Sequence, residues 1–129
     1  MCKKGVIITI KRVVVAGCRN YNNYAEAKEY IDRCLSRIRK ENKIVIVSGG
    51  SLGADKLGEL YAEENGFKIE RYIAQWEKYG KSAGPIRNEE MAKNADFVIC
   101  FWDGKSRGTK SMIGCAKRQG KPLKIKMIL

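Results

Sequence analysis

The chain has 129 residues, which suits one folded domain, and its 44% apolar and 31% charged residues with two prolines are typical of a globular protein. Histidine is absent, which excludes Ser-His-Asp and Cys-His catalysis, HExxH zinc sites and an imidazole general base. The formal net charge of +12 attracts anionic ligands. Lysine and arginine are spread along the whole chain, however, so nucleic acid is the less favoured partner.

Five cysteines are present, none of them in a CxxC pair, and their odd number argues against both a disulfide framework and a zinc knuckle. We therefore predict no metal site. Cys34 and Cys100 occupy positions of the apolar pattern and are expected to be core thiols, whereas Cys18 follows a predicted strand.

The first apolar run of the chain, Val6 to Ile10, stops at Lys11-Arg12 and is too short for a signal peptide. No other run reaches the length needed to cross a bilayer. These patterns predict a cytoplasmic protein without a membrane partner.

The hydrophobic pattern alternates between strand and helix periods from one end of the chain to the other. The predicted strands are 12–17, 43–48, 67–74, 96–102 and 122–128, with 6–10 as either a preceding strand or an extension of the first. The predicted helices are 24–40, 53–65, 85 to about 94, and 108–119, whereas 75–83 is irregular or a short helix. This order predicts an α/β fold, with residues 1–129 forming one three-layer Rossmann-like domain around a mostly parallel sheet of about five strands.

Details of the predicted helices support these bounds. Glu29 and Arg33 are spaced for an i,i+4 ion pair, and Gly66 is placed to end the second helix. Leu57, Leu60 and Tyr61 are expected to face the core on that helix.

Glycine and polar residues follow three of the predicted strands, at the sheet edge where α/β proteins bind ligands. These segments are Gly17-Cys18-Arg19-Asn20-Tyr21, Ser48-Gly49-Gly50-Ser51-Leu52-Gly53-Ala54-Asp55 and Asp103-Gly104-Lys105-Ser106-Arg107-Gly108-Thr109. Glycine allows backbone N–H groups to approach an anion closely, and a following helix N-terminus adds its dipole. The pattern predicts a phosphate site, and the alternative is that the glycines only form tight strand-to-helix turns.

Standard phosphate motifs do not fit these loops. Gly104-Lys105-Ser106 is similar to the end of a P-loop, but Ile99 occupies the place of the required first glycine. The turn at Gly17 lacks the GxGxxG pattern. A Walker-type NTPase and a standard dinucleotide fingerprint are therefore not supported.

Several side chains near these loops have two interpretations. Arg19 and Arg87 are candidate forks for an oxyanion or partners in surface ion pairs. Trp76 and Trp102 are candidates for stacking on a base or for ordinary packing. Asp55 either complements a helix dipole or accepts a hydrogen bond from a ribose hydroxyl.

Taken together, these motifs resemble the SLOG superfamily of Rossmann-like proteins, and most of all its YspA-like, cpYpsA-related branch. The similar segments, spread over residues 12 to 125, are Val15 to Arg19, Val47 to Gly50, Gly53 to Asp55, Ala74 to Lys81, Ala83 to Asn88 with Met91, and Phe101 to Thr109. The resemblance implies binding of nucleotides or nucleotide-derived signals such as ADP-ribose-like molecules.

More distantly the chain resembles the LOG enzymes, which the resemblance implies cleave the N-glycosidic bond of a nucleoside monophosphate. Their Arg–Met helix motif is similar to Arg87 and Met91, and their glycine-threonine loop is similar to Gly108-Thr109. Their catalytic glutamate, however, falls near Met112, which cannot exchange protons. This departure argues against the same activity here.

The sequence thus predicts a binding module for a nucleotide-type small molecule, with no cofactor other than a bound nucleotide. A homodimer or higher oligomer stays open. The predicted ligand-binding residues are Gly17, Cys18, Arg19, Ser48, Gly49, Gly50, Gly53, Asp55, Trp76, Arg87, Asn88, Trp102, Asp103, Gly104, Ser106, Gly108 and Thr109. The alternatives are single-stranded nucleic-acid binding and hydrolysis of an N-glycosidic or phosphate bond, for which the candidate residues are Asp103, Arg87, Asp55 and Glu90.

Overall fold

A computed structural model describes residues 8–128 of the chain. Its strands are β1 (Thr9–Gly17), β2 (Asn42–Ser48), β3 (Lys68–Arg71), β4 (Phe97–Trp102) and β5 (Leu123–Met127). Its α-helices are α1 (Tyr24–Leu35), α2 (Ile38–Glu41), α3 (Ala54–Asn65), α4 (Trp76–Tyr79), α5 (Ala83–Asn94) and α6 (Arg107–Arg118), and a 3₁₀ turn (Gly80–Ser82) joins α4 to α5.

The five strands form one parallel sheet in the order β3-β2-β1-β4-β5. Strand order therefore reverses between β1 and β4, which pair from Val13 with Phe97 to Gly17 with Phe101. In doubly wound sheets such a reversal leaves a crevice at the carboxyl ends of the two strands. This confirms the predicted fold class and places the crevice beside the first and third of the predicted glycine segments.

Helices cover both faces of the sheet. On one face α1 and α3 pack against a cluster that includes Val13, Val15 and Phe101. On the other face α5 and α6 pack against a second cluster that includes Val14 and Cys100. Alternate residues of β1 thus belong to different cores, which is why this strand reads as a continuous apolar run.

Two predicted elements differ from those observed. The helix predicted over 24–40 breaks after Leu35, where the Ser36 hydroxyl donates to the Arg33 carbonyl oxygen at 3.2 Å and competes with the helical backbone. The strand predicted over 67–74 ends at Arg71 because its neighbour β2 ends at Ser48, the register partner of Arg71.

Smaller predictions had mixed outcomes. The Glu29–Arg33 ion pair is present at 3.5 Å, and Gly66 ends α3 in the left-handed conformation. Leu60 was predicted to face the core, but it is exposed on α3. Thr9 and Ile10 extend β1, whereas Val6 and Ile7 lie outside the described residues. No helix between residues 8 and 128 is long and apolar enough to cross a membrane.

Candidate functional site

A cleft of about 500 Å³ opens at the carboxyl ends of β1 and β4, at the point where the strand order reverses. Its walls come from the turn after β1, the loop after β4 and the first turns of α5 and α6. Eleven predicted ligand-binding residues line it: Gly17, Cys18, Arg19, Asp55, Trp76, Arg87, Asn88, Asp103, Ser106, Gly108 and Thr109. A volume in this range suits a small-molecule ligand.

The loop after β4 is held in shape by its own polar side chains. Oδ1 of Asp103 accepts hydrogen bonds from the backbone N–H groups of Lys105 and Ser106, both at 2.8 Å. These bonds lower the pKa of Asp103. Oγ of Ser106 caps α6, accepting from the backbone N–H of Thr109 at 3.4 Å and from the Thr109 hydroxyl at 3.1 Å. The loop therefore has a defined conformation before any ligand arrives.

The two tryptophans have different surroundings. Trp102 packs against both apolar cores, and its indole N–H donates to the Ser106 carbonyl oxygen at 3.1 Å, so it supports the loop rather than lining the cleft. Trp76, at the start of α4, lines the cleft with 54% of its surface exposed. Gly104 also lies outside the cleft lining, in a left-handed turn with φ of +82°.

The loop after β2 reaches the cleft lining only at Ser51, and its other polar groups contact protein. Ser48 is fully buried, and its hydroxyl donates to Oε2 of Glu59 at 2.7 Å while accepting from the Gly50 N–H at 3.0 Å. Arg71 donates to both Glu59 oxygens, at 2.8 and 3.1 Å. Burial acts to raise the pKa of Glu59, but the bonds from Arg71 and Ser48 outweigh it and the pKa is lowered.

Gly49 lies directly against the side chains of Arg87 and Asp55. A Cβ added there would lie 2.6 Å from Nη1 of Arg87 and 2.9 Å from Oδ2 of Asp55. The same Nη1 donates to the Gly49 carbonyl oxygen at 2.8 Å and to the Tyr72 carbonyl oxygen at 3.3 Å. Arg87 thus ties the ends of β2 and β3 to α5, while Nη2 takes no part in these bonds.

Gly53 gives the closest backbone contact in the site. Its φ is +79°, and a Cβ there would overlap the carbonyl oxygen of Cys18 and the backbone of Arg19. The next residue, Ala54, donates its N–H to the same Cys18 oxygen at 3.1 Å. Ser48, Gly49, Gly50 and Gly53 therefore lie behind the wall of the cleft, outside its lining.

Burial changes the pKa of three cleft residues. It raises the pKa of Asp55 to about 6, with partial compensation from the Ser51 N–H, which donates to Oδ2 at 3.1 Å, and from the charge of Arg87. Burial also lowers the pKa of Arg87, which the Asp55 charge partly restores. Cys18 is buried too, and burial raises its pKa, which disfavours a reactive thiolate.

The candidate catalytic carboxylates do not converge on one point. Asp55 and Asp103 line the cleft from opposite sides of β1, whereas Glu90 is exposed and lines a separate cavity behind Arg87. Met112, the position similar to the LOG glutamate, is buried and lines the cleft. Across residues 8–128, no group of three or more Cys, Asp and Glu side chains could hold a metal ion.

Nine cleft residues are absent from the predicted ligand-binding set, although three of them, Asn20, Ser51 and Arg107, lie within the predicted glycine segments. The nine are Ala16, Asn20, Ser51, Gly84, Pro85, Met91, Arg107, Ser111 and Met112. The helical period gives a signal for some of them, because Ser111 and Met112 lie three and four residues after Gly108 on the same face of α6. Arg107 adjoins the predicted pair Gly108-Thr109 and adds a third arginine to the cleft. Asn88 links α5 to α6 beside the cleft, because its side-chain amide donates to the Gly108 carbonyl oxygen at 3.4 Å and to Oγ of Ser111 at 3.2 Å.

Comparison with solved structures shows the same fold in DNA processing protein A. The protein from Streptococcus pneumoniae matches with a TM-score of 0.66 and 21% identity, over 91% of this chain and 50% of that chain. The protein from Helicobacter pylori, whose structure was described for its single-stranded DNA binding mode, matches with 0.64 and 24%, over 91% and 65%. This chain thus spans half to two thirds of those proteins.

Sequence comparison is more specific. The Gene 61 protein of Mycobacterium phage D29 is 32% identical over 120 residues, covering 88% of this chain and 94% of that protein. Residues 11–79, which include the segments Gly17 to Arg19 and Ser48 to Asp55, match the family model described as YAcAr. The resemblance inferred from the motifs is confirmed: the chain belongs to the YspA, cpYpsA-related SLOG family.

Proposed function

We propose that this protein binds a nucleotide-type small molecule, with the phosphate held in the cleft at the carboxyl ends of β1 and β4. The observation that carries the proposal is the convergence of three arginines on one cleft. Arg19 comes from the turn after β1, Arg87 from α5 and Arg107 from the start of α6. Guanidinium groups bind phosphate oxygens in a bidentate manner, which suits an anion entering between them.

The opposing charges in the cleft are weak competitors for these arginines. Asp103 already accepts two backbone hydrogen bonds, and the pKa of Asp55 lies near 6, so a proton neutralises it at a mildly acidic pH. The N-terminus of α6, a helix of 12 residues, also borders the cleft and favours an anion there. A phosphate group therefore meets a net positive site.

Trp76 supports the nucleotide part of the proposal. Its ring is half exposed at the cleft, where it offers a flat apolar surface to a base. Stacking of a base on an aromatic side chain contributes about 1–3 kcal/mol in nucleic-acid binders. Trp102 is not needed for this role, because its indole is already bonded within the loop.

Titration calorimetry with AMP, ADP, NAD, ADP-ribose and cyclic nucleotides tests the proposal. We expect at least one Kd below about 1 mM, and a loss of about tenfold in affinity for Arg19→Ala. Arg37→Ala is the matched control, since Arg37 is exposed beyond the far end of α1 and outside the cleft. Binding no tighter than millimolar across the panel would overturn the proposal.

Single-stranded DNA is a separate outcome of the same experiment. The H. pylori protein with this fold is described as binding it, and the charge of +12 favours any polyanion. An oligonucleotide that binds with a steep salt dependence, in the absence of any nucleotide binding, would replace the small-molecule proposal with DNA binding.

Hydrolysis of the bound nucleotide is the second candidate function, and one observation favours it. Asp55 is a buried cleft carboxyl whose pKa of about 6 allows it to give or take a proton near neutral pH. If it acts this way, Asp55→Asn abolishes release of base or phosphate while Glu90→Gln, outside the cleft, leaves it unchanged. A nucleotide panel that binds and is not cleaved would dismiss this candidate.

A further inference from the structure

The part of the chain that carries Trp76 has few contacts with the rest of the protein. Residues 75–82, the α4 segment, comprise Gln75, α4 and the 3₁₀ turn, and all eight are exposed. Ala74 and Ala83, on either side of the segment, are buried. Within residues 8–128 no other run of exposed residues is as long. A segment that is fixed at both ends and exposed between them has low local stability, which is typical of loops that move on ligand binding.

The hydrogen bonds of the α4 segment are local. The N–H groups of Lys78 and Tyr79 donate to the Gln75 carbonyl oxygen at 3.1 and 3.0 Å, and the Gly80 N–H donates to the Trp76 carbonyl oxygen. In the part of the chain that the structure describes, no side chain of the segment makes a hydrogen bond or ion pair with a residue outside it. The segment can therefore change position without breaking a polar side-chain contact to the rest of the fold.

Open space lies on two sides of the α4 segment. Trp76 lines the cleft, and its ring lies 3.5 Å from the position that a Cβ of Gly84 would take, so the ring rests against the first turn of α5. Gln75 and Tyr79 line the separate cavity behind Arg87, which has a volume of about 230 Å³. Arg87 lines both spaces. A ligand held by Arg87 in the cleft therefore lies next to this segment.

The surface of the α4 segment suits a position over an occupied cleft. Trp76 is 54% exposed and Tyr79 is 38% exposed, although the segment has no buried residue that holds it to the core. Covering such aromatic surface is favourable. The charged residues of the segment are Glu77, Lys78 and Lys81, so its net charge is positive and its approach adds no net negative charge beside a phosphate.

We propose that the α4 segment is a lid that closes over the cleft when an anionic ligand occupies it. This inference rests on the proposed function, because contacts with the ligand drive the closure. In the closed position Trp76 covers the ligand and Tyr79 packs beside Trp76. The lid excludes water from the cleft, which strengthens the contacts between the arginines and the phosphate.

Limited proteolysis with trypsin tests the movement. Lys78 and Lys81 lie in the α4 segment but outside the cleft lining, so a ligand in the cleft does not cover them unless the segment closes. We expect the tightest binder among AMP, ADP, NAD, ADP-ribose and cyclic nucleotides, at saturation, to slow cleavage at both lysines at least fivefold. Arg37, which is exposed between α1 and α2, is the reference site, and its cleavage should stay unchanged.

A variant outside the cleft tests the contribution of the lid to affinity. Tyr79 does not line the cleft, so a rigid segment predicts no effect of Tyr79→Ala on ligand binding. We expect calorimetry to show a loss of about fivefold in affinity, because the closed lid loses the packing of Tyr79 beside Trp76. Leu60→Ala is the matched control, since Leu60 is also 38% exposed, lies on α3 and is outside the cleft.

The outcomes separate this inference from the proposed function. Unchanged cleavage at Lys78 and Lys81 with a bound nucleotide overturns the lid and leaves nucleotide binding intact, and so does equal affinity of Tyr79→Ala and Leu60→Ala. Cleavage at Arg37 that slows by the same factor also overturns the lid, because the protection then comes from stabilisation of the whole fold. Failure of every nucleotide to bind overturns the proposed function and the lid together.

Discussion

The loops after β2 and β4 look alike in sequence and differ in the structure. Both combine glycines with hydroxyl residues at the start of a helix, and both were predicted to hold phosphate. The loop after β2 turns its polar groups toward Glu59, Asp55 and Arg87, and a Cβ at Gly49 or Gly53 would meet protein atoms. The loop after β4 lines the cleft, and a Cβ at Gly108 meets open space. A glycine-rich turn can therefore pack against protein or line a ligand site. What a Cβ added at the glycine would contact distinguishes the two cases.

Alanine substitutions at Gly53 and Gly108 should show the largest difference between the two loops. We expect Gly53→Ala to lower the free energy of unfolding by about 4 kcal/mol, because the left-handed φ and the overlap with the Cys18 carbonyl each add strain. Gly108→Ala adds a methyl group at a helical position in open space and should not lower stability. Urea unfolding of both variants measures the difference, and equal destabilisation would contradict the division of roles.

The pH dependence of stability tests the burial of Asp55 beside the loop after β2. Its pKa of about 6 in the folded protein exceeds the ordinary value of 3.8, so the folded state binds this proton more tightly. The contribution of Asp55 to the free energy of unfolding therefore falls by about 3 kcal/mol as the pH rises from about 4 through about 6.

Asp55→Asn removes this titration, since asparagine stays neutral. Measured by urea unfolding from pH 4 to 7, the variant should gain stability relative to the native chain as pH rises. Other carboxylates titrate in both chains and cancel in the difference. Parallel stability profiles over this range would show that Asp55 is not desolvated as described.

Glu59 provides the next test of the loop after β2. Glu59→Gln removes the charge that holds Arg71 and Ser48, and we expect a loss of about 1.5 kcal/mol at pH 7. Glu63→Gln, at an exposed position on the same helix, is the control. Thermal unfolding at pH 7 compares the two, and a similar Tm for both variants would refute a supporting role for Glu59.

The smallest expected effect concerns ligand affinity rather than stability. Gly108→Ala adds one methyl group to the cleft lining, and we expect nucleotide affinity to fall by about two- to fivefold. Gly114→Ala lies on the same helix α6 but outside the cleft, where its methyl group meets only the flexible end of Arg118. Calorimetry that finds the same affinity for both variants would place the ligand elsewhere.

The sequence sufficed to predict the sheet because the signals were local. The three central strands, β1, β2 and β4, contain short β-branched or aromatic runs, such as Val13 to Val15, and alternation with helices implies parallel pairing. The break after Leu35 was missed because it depends on one hydroxyl contact of Ser36. The end of β3 was missed because it depends on where the neighbouring strand stops.

Only those residues of the candidate site that come directly after a predicted strand could be predicted from the sequence. Arg19 and Asp103 line the cleft because β1 and β4 are neighbours, as an α/β order favours. The sequence could not show that Gly49 faces Arg87, since this contact joins residues 38 positions apart.

The pairing of β1 with β4 also bears on the order in which the molecule assembles. Arg12 and Asp96, whose contact lies at the start of this pairing, are 84 residues apart in the chain. Closing a loop of that length costs conformational entropy before the contacts that stabilise it can form. Strand pairings of this kind therefore form slowly during folding. The β1–β2–β3 half, with α1 and α3, can form its own contacts earlier during synthesis. We therefore expect the ligand-binding crevice to be among the last parts of the protein to take shape, and a ligand present in the cell to stabilise the final docking of the two halves.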